Sequence, residues 1–243
     1  MKRTIYLLIA TVFVSVIASC SGSSNSNKND GWVTIFDGKS LKGWRGYLHE
    51  GVPAEWSVES DGVLKFDGKG SQENGGLDLL YDKKVKNFEF ELEWKASERG
   101  NSGLFYYVQE VEGLPIFATA PEIQMAAVDG SGRISKTAAG SLYDMKAANP
   151  QNAKIPGEWN KTRIVVNNGH VTHFQNDVQV CEYTLWTDEW KDMLNSSKFS
   201  EERWPESYKI LINLGGDNRE GFIGLQDHGT NFWYRNIRLK ELP

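Results

Sequence analysis

Short stretches of alternating hydrophobic and polar residues dominate the chain and predict β-strands. The clearest stretch is residues 88–95, FEFELEWK, where apolar and charged side chains alternate strictly. Similar stretches are separated by turn pairs such as Asp-Gly, Asn-Gly and Asn-Asp, which predict hairpins. The predicted strands are residues 32–36, 56–58, 63–66, 88–95, 104–108, 122–125, 163–167, 170–175 and 178–183. Short strands at this spacing are typical of an all-β, two-sheet antiparallel sandwich.

One stretch has a helical period instead. Thr187 is placed to cap its first turn, and the period predicts one short helix. The apolar residues that share its face are Trp186, Trp190, Met193 and Leu194.

The closing stretch, residues 221–242, has strand-forming residues on both sides of the turn cluster Asp227-His228-Gly229. The pattern predicts a hairpin with His228 at its mouth and with Gln226 on the same strand face. The other chemically interesting residues of this predicted hairpin are Trp233 and Arg235.

The N-terminus has the pattern of a bacterial lipoprotein signal. Lys2 and Arg3 precede an apolar run over residues 5–17, which is too short to span a membrane, and small residues lead to Cys20. An ordinary secretory signal is the alternative. We expect residues 1–19 to be a signal peptide and residues 20–30 a lipidated Cys20 with a flexible tether. Residues 31–243 would then form a single domain, lipid-anchored in the bacterial cell envelope on its periplasmic face or on the cell surface.

Charge and cysteine content narrow the function classes. The chain has 27 Lys and Arg against 32 Asp and Glu, which argues against nucleic acid as a partner. Cys181 has no internal partner once Cys20 is lipidated, so no disulfide framework is expected, and its strand context favours a buried small hydrophobe. No spacing typical of a metal site or of a phosphate-binding loop occurs. We therefore predict no cofactor, although a divalent metal without a sequence signature stays possible.

Two groups of polar residues on predicted strands could carry chemistry. Glu122 and Gln124 lie on one side of their strand, opposite Ile123 and Met125, so their face meets either water or a ligand. A second group of carboxylates also shares one strand face, and the interpretation that we favour is an acidic, solvated surface rather than a glycosidase pair. That second group consists of Glu89, Glu91 and Glu93; the solvated interpretation applies to Glu89 and Glu91, and the role of Glu93 is left open. Three histidines are interpreted as structural or surface residues, namely His49, His170 and His173.

A series of short motifs, in order from Phe36 to Leu242, resembles the 3-keto-disaccharide hydrolase family. Each motif is weak alone, but the ordered set covers nearly the whole mature domain. The motifs are FDGKSLKGW at 36–44, EWK at 93–95, NSG at 101–103, PEIQ at 121–124, GSLY at 140–143, PGEWN at 156–160, LQDHG at 225–229 and RNI at 235–237.

The resemblance implies a concanavalin A-like jelly roll and a carbohydrate substrate, a glycoside already oxidised to a ketone at C3. It implies cleavage by proton abstraction at C2, elimination at C1 and hydration. With the shared strand faces, it suggests Glu122 and His228 as base and acid, in an order left open, with Arg235 or Lys95 stabilising charge. The residues expected to contact the sugar are Glu93, Lys95, Tyr107, Gln124, Tyr143, Gln226 and Trp233.

The chain departs from the family pattern after Gln124. Many members carry Leu-Asp-Asn and then His-Pro-Asp, whereas this chain has Ala-Ala-Val-Asp-Gly at 126–130 and no histidine between Gln124 and Tyr143. A narrowed substrate range or a binding-only, lectin-like module is the alternative that this departure leaves open. A conventional glycosidase that uses the carboxylates of residues 89–93 is a third hypothesis.

Overall fold

The computed structural model describes residue 1, residues 30–70 and residues 76–243. Most of the predicted signal peptide, Cys20 and nearly all of the predicted tether lie outside the described residues, so these stay predictions. Residues 31–243 form the compact unit that carries the fold. Within the described part of the chain, no helix is long and apolar enough to cross a membrane.

Thirteen strands and two α-helices make up the described fold, together with two short 3₁₀ turns. The strands are β1 (Val33–Thr34), β2 (Trp44–Gly46), β3 (Trp56–Val58), β4 (Leu64–Phe66), β5 (Leu79–Val85), β6 (Phe88–Ala96), β7 (Asn101–Val108), β8 (Glu122–Ala126), β9 (Asn160–Asn167), β10 (His170–Gln175), β11 (Val178–Thr184), β12 (Gly221–Leu225) and β13 (Phe232–Glu241). The helices are α1 (Asp188–Asn195) and α2 (Pro205–Ile212), and the 3₁₀ turns are Gly68–Gly70 and Ile116–Ala118.

The strands form two antiparallel sheets, which confirms the predicted all-β sandwich. The eight-stranded sheet has the order β11-β10-β9-β6-β13-β4-β3, and β1 pairs with β13. The five-stranded sheet has the order β2-β5-β12-β7-β8. The predicted hairpins β3–β4, β9–β10 and β10–β11 are all present.

The alternation along β6 sets the inner face of the larger sheet. Its four apolar side chains, Phe88 to Trp94 at every second position, are fully buried. Trp94 stacks on Phe232 of β13 with ring centroids 5.4 Å apart, and its Nε1 donates to Thr162 Oγ1 at 2.8 Å. The indole therefore fills the core without leaving its own N–H unpaired.

The outer face of β6 is a ladder of ion pairs, so the prediction of an acidic, solvated face is wrong. Glu91 is only 7% exposed. The antiparallel register places basic residues of β9 and β13 opposite these carboxylates, and opposite charges attract across strands. The pairs are Glu89 with Arg163 and Lys240, Glu91 with Lys161 and Arg238, and Glu93 with Arg235. This arrangement does not favour the hypothesis of a glycosidase built on these three residues, because each carboxylate is held by at least one cation.

The predicted closing hairpin is also wrong. β12 lies in the five-stranded sheet between β5 and β7, whereas β13 lies in the eight-stranded sheet between β6 and β4. Residues 226–231 therefore cross from one sheet to the other instead of forming a hairpin turn. A hairpin and a crossover between sheets can have the same strand pattern and the same turn residues. Only the long-range pairing of the strands distinguishes the two.

The described part of the chain has two helices where the sequence predicted one. α1 is the predicted helix, and the Thr187 side chain accepts a hydrogen bond from Trp190 N, as a cap should. α2 begins with Pro205 in its first turn, a favourable position because proline lacks an N–H that would be unpaired there anyway. The two helices are joined by a hydrogen bond from Trp190 Nε1 to Leu211 O at 2.9 Å.

Candidate functional site

A small polar cavity of about 120 Å³ lies against β7 and β8 of the five-stranded sheet. Residues from seven separate segments meet there, and two of these segments are the crossover after β12 and the loop between the helices. Its lining residues are Asp78, Asn101, Phe117, Glu122, Gln124, Tyr143, Lys198, Gln226, Asp227 and His228.

β8 supplies two of these side chains because of its alternation. Glu122 and Gln124 line the cavity, while Ile123 and Met125 are buried in the core on the other side, as the sequence predicted. The outer edge of β8 is covered by the segment that carries Tyr143. Gln124 N donates to Ser141 O at 3.0 Å, and Tyr143 N donates to Glu122 O at 2.9 Å. These backbone bonds hold the Tyr143 segment beside the cavity.

Gly103 on β7 makes room for the Glu122 carboxylate. A Cβ atom built on this glycine would fall 2.5 Å from Glu122 Oε1, far inside contact distance. Gly103 pairs with Gln124, and Phe105, two residues further along β7, pairs with Glu122. Strands β7 and β8 therefore lie side by side at this point. A side chain at residue 103 would thus displace the carboxylate.

Burial raises the pKa of Glu122 to about 8, although the positive charge of Lys198 acts in the opposite direction. Burial also lowers the pKa of Lys198, against the opposing effect of Glu122. Lys198 Nζ lies 4.5 Å from the centroid of the Tyr143 ring and 5.0 Å from that of Phe117. The site thus combines a carboxyl group that changes charge near neutrality with a partly desolvated ammonium group.

A second buried acid lies in the same cavity. Asp78 is 2% exposed, and its Oδ1 accepts a hydrogen bond from Asp227 N at 2.9 Å. Burial raises the pKa of Asp78 to about 7; the N–H of Asp227 lowers it, and the charge of the Asp227 carboxylate raises it. This hydrogen bond connects the start of β5 to the crossover that carries Gln226 and His228.

Two buried glutamine oxygens are left for a ligand. Gln124 donates from Nε2 to Asn101 Oδ1 at 3.0 Å, and Gln226 N donates to Gly103 O at 2.9 Å. Neither Oε1 has a hydrogen-bond partner among the residues that the structure describes. Buried acceptors of this kind are costly unless a donor reaches them, and a hydroxyl group is one donor that suits them.

His228 lies at the rim of this cavity and is exposed, whereas His173 is fully buried elsewhere. His173 Nδ1 lies 3.0 Å from Gly140 O, and its Nε2 lies 3.0 Å from the hydroxyl group of Tyr183. The carbonyl can only accept, so Nδ1 donates and Nε2 accepts from Tyr183. Burial lowers the pKa of His173 to about 4. Its structural interpretation is therefore confirmed.

The structure brings together five of the residues expected at the site and separates the other five. The five that line one cavity are Glu122, Gln124, Tyr143, Gln226 and His228. Four expected residues do not lie there, because β13 and β6 turn their charged sides away from the core: Glu93, Lys95, Trp233 and Arg235. Tyr107 is buried, and its hydroxyl group donates to Lys86 O instead of reaching the cavity.

Sequence reasoning missed the other five lining residues. The sequence around Asp78 indicates a buried acid, because a carboxyl group lies among leucines in Leu77-Asp78-Leu79-Leu80. Asn101 and Asp227 stood inside motifs that had been noted for the family resemblance. Phe117 and Lys198 had no local signal, because their segments reach the cavity only through tertiary packing. Within residues 30–70 and 76–243, no group of three or more His, Cys, Asp or Glu is placed to hold a metal ion.

The fold and the cavity define a β-sandwich protein with a small polar site. Residues 31–240 match the family described as the 3-keto-alpha-glucoside-1,2-lyase-like domain. Because this match spans most of the chain, the chain belongs to that family, and the family resemblance found in the motifs is confirmed.

Individual relatives agree with this assignment. A protein of Bacteroides thetaiotaomicron named 3-keto-disaccharide hydrolase is 42% identical over an alignment of 290 positions, gaps included, that covers all of both chains. A crystal structure of a candidate glycosyl hydrolase from Parabacteroides distasonis has 28% identity and a TM-score of 0.74, covering 88% of this chain and 95% of that one. A second such structure from the same organism has 26% identity and a TM-score of 0.65, covering 87% and 99%.

We predict that Glu122→Gln reduces the fall in the free energy of unfolding as pH rises from 4.5 to about 8. Between pH 4.5 and about 8, folded Glu122 keeps a proton that the unfolded chain releases. The free energy of unfolding therefore falls as pH rises through this window, and the contribution of Glu122 is lost above about pH 8. Asp78 acts in the same direction, up to about pH 7. Urea unfolding at several pH values should show a shallower fall in the variant.

The matched control is Glu182→Gln, the same change at an exposed residue of β11. Its pH profile should be parallel to that of the wild type. Parallel profiles for Glu122→Gln and the wild type would show that the carboxyl group has no raised pKa.

We predict that Gly103→Ala destabilises the protein by about 1–3 kcal/mol, because the new methyl group overlaps the Glu122 carboxylate. Combining it with Glu122→Ala should recover much of that loss, since the overlapping group is then absent. Gly51→Ala is the control, because a Cβ atom there meets no atom within 4 Å. Simple additivity of the changes at residues 103 and 122 would contradict the steric explanation.

Proposed function

We propose that the protein is a carbohydrate-active enzyme that hydrolyses 3-keto-disaccharides. The observation that carries this proposal is the convergence of Glu122, Lys198 and His228 on one small cavity. The family match and the name of the Bacteroides thetaiotaomicron relative support the substrate class. The buried acceptor oxygens of Gln124 and Gln226 suit a ligand that carries several hydroxyl groups.

The ketone at C3 determines the chemistry that we propose. It acidifies the proton on C2, so a base removes that proton and the electron pair forms an enolate. The enolate then expels the glycosidic oxygen from C1, and an acid supplies the proton that this oxygen takes. Water adds across the resulting C1–C2 double bond, with hydroxide at C1 and the proton at C2, and the net reaction is hydrolysis. Such a site needs a base, an acid and a cationic group near the enolate oxygen.

Glu122 and His228 are the proposed base and acid, and their order stays open. A carboxyl group with a pKa of about 8 is suited to proton transfer near neutrality, because both of its forms are populated there. Lys198 takes the charge-stabilising role that the sequence assigned to Arg235 or Lys95. It lines the same cavity as Glu122, whereas Arg235 is paired with Glu93 on the outer face.

Tyr143, Gln124 and Gln226 are proposed to hold the sugar. The Tyr143 ring lines the cavity beside Lys198 and offers an aromatic surface to a pyranose ring. Asn101 fixes the amide of Gln124 through Nε2, which directs Oε1 toward an incoming hydroxyl group. Orientation of this kind fixes the C2 proton relative to the base.

We also propose that the domain is attached to the cell envelope by lipid on Cys20. The support is the signal pattern of residues 1–20 alone. Mass spectrometry of the mature N-terminus should show a lipidated Cys20, and Cys20→Ser should remove the protein from the membrane fraction. An unmodified cysteine at the mature N-terminus would contradict this proposal.

We predict that Glu122→Gln and His228→Ala each lower kcat on a 3-keto-disaccharide by about 10²- to 10⁴-fold, because each removes a proton-transfer group. The measurement is the rate at which the second sugar is released from the oxidised disaccharide, as monitored by chromatography. Matched controls are Glu182→Gln and His170→Ala, the same changes at exposed residues outside the cavity. Both controls should keep wild-type kinetics.

Near-normal turnover in both Glu122→Gln and His228→Ala would disprove the assignment of base and acid. The alternative, a binding-only lectin-like module, predicts a different outcome for the wild type. It predicts binding of the unoxidised disaccharide and no cleavage of the keto form.

A further inference from the structure

A second depression lies beyond the end of β8. It is an open groove with a volume of about 400 Å³, formed by the last residue of β8, by the loop that follows and by a short stretch further along the chain. We call it the β8 groove. Its lining residues include Ala126, Ala127, Arg133, Thr137, Ala138 and Gln151.

The β8 groove and the catalytic cavity share one strand face. Gln124 lines the cavity and Ala126 lines the groove, and residues two apart on a strand point to the same side, roughly 7 Å apart. Asn101, which pairs with Ala126 across the sheet, also lines the cavity. A ligand that extended from the cavity along β8 would therefore reach the groove.

The size of the cavity requires such an extension for a disaccharide. Pockets that hold a small organic ligand typically have about 300–1,000 Å³, and the cavity has about 120 Å³. The cavity has room for only part of a two-ring substrate. The groove, at about 400 Å³, offers the remaining space.

The lining of the groove fits a hydroxyl-rich group. Small side chains, Ala126, Ala127 and Ala138, leave its floor open, and Arg133 and Thr137 are exposed polar residues at its walls. Hydrogen bonds from two side chains to backbone carbonyl groups hold the loop in place. Ser141 Oγ donates to Ser135 O at 2.8 Å, and Gln151 Nε2 donates to Ala139 O at 2.8 Å.

We infer that the β8 groove is the binding site for the leaving sugar, the second ring of the disaccharide that departs from C1. The keto ring occupies the cavity beside Glu122, and the glycosidic bond crosses above Gln124 and Ala126. This inference rests on the proposed function. It adds that the enzyme selects disaccharides over glycosides with a small leaving group.

The test compares two substrates, a 3-keto-disaccharide and methyl 3-keto-glucoside, whose leaving group is too small to reach the groove. The variant is Thr137→Trp, which fills the groove from an exposed residue. We expect kcat/KM for the disaccharide to fall about tenfold or more, through KM, and kcat/KM for the methyl glycoside to stay within about twofold. Arg133→Ala should also lower kcat/KM for the disaccharide relative to kcat/KM for the methyl glycoside.

The matched control is Lys136→Trp, an exposed neighbour in the same loop that does not line the groove. It should leave both substrates unaffected. An equal effect of Thr137→Trp on the two substrates, or no effect on either, would overturn the inference.

A binding measurement separates this inference from the proposed function. Calorimetry with the Glu122→Gln protein should show tighter binding of the 3-keto-disaccharide than of the methyl glycoside, and Thr137→Trp should remove the difference. This result would support the groove even if the wild type cleaved neither compound, an outcome that would disprove the proposed function. Equal affinities for the two compounds in Glu122→Gln, or a difference that survives Thr137→Trp, would overturn the inference.

Discussion

The buried hydrogen bond from Asp227 N to the Asp78 carboxylate is the constraint on which the site depends. It joins the start of β5 to the segment that crosses between the sheets, at a distance of 2.9 Å. Gln226 and His228 flank Asp227 in that crossover, so the bond fixes where both approach Glu122. A second tie reinforces it, because Ser102 Oγ donates to Gln226 O at 2.9 Å. These two hydrogen bonds hold the part of the cavity wall that the crossover forms.

In the same cavity, the buried acids that suit proton transfer reduce the stability of the fold when they ionise. Burial raises the pKa values of Glu122 and Asp78 to about 8 and about 7, so removing their protons while they stay buried costs stability. Acids with raised pKa values, beside amide oxygens that have no partner among the described residues, are typical of sites where a substrate supplies the missing interactions. Gly103 shows that the backbone is adapted to this arrangement, since only a glycine leaves room for the carboxylate.

Residue patterns predicted part of the site because strand alternation is a local property. Glu122 and Gln124 were placed on one face by their spacing, and the structure has them in one cavity. Arg235 was grouped with His228 because the two were assumed to share a hairpin. β13 instead joins the other sheet, and Arg235 pairs with Glu93 on its outer face. Lys198 could not be found, because it lies in a loop between α1 and α2 whose approach to Glu122 depends on how the helices pack.

The sequence by itself determined the all-β class, most strands, three hairpins and the capped helix α1, because each depends on contacts between residues close in the chain. The family motifs determined the relationship to known carbohydrate-active proteins. Tertiary structure decided which sheet each strand joined, and hence that residues 226–231 cross between sheets. It also decided which acids are buried and which are paired, since Glu91 is held by Lys161 and Arg238 while Glu122 lies in a small cavity beside Lys198. The physical reason is that burial and ion pairing depend on neighbours distant in sequence, and a local pattern carries no information about them.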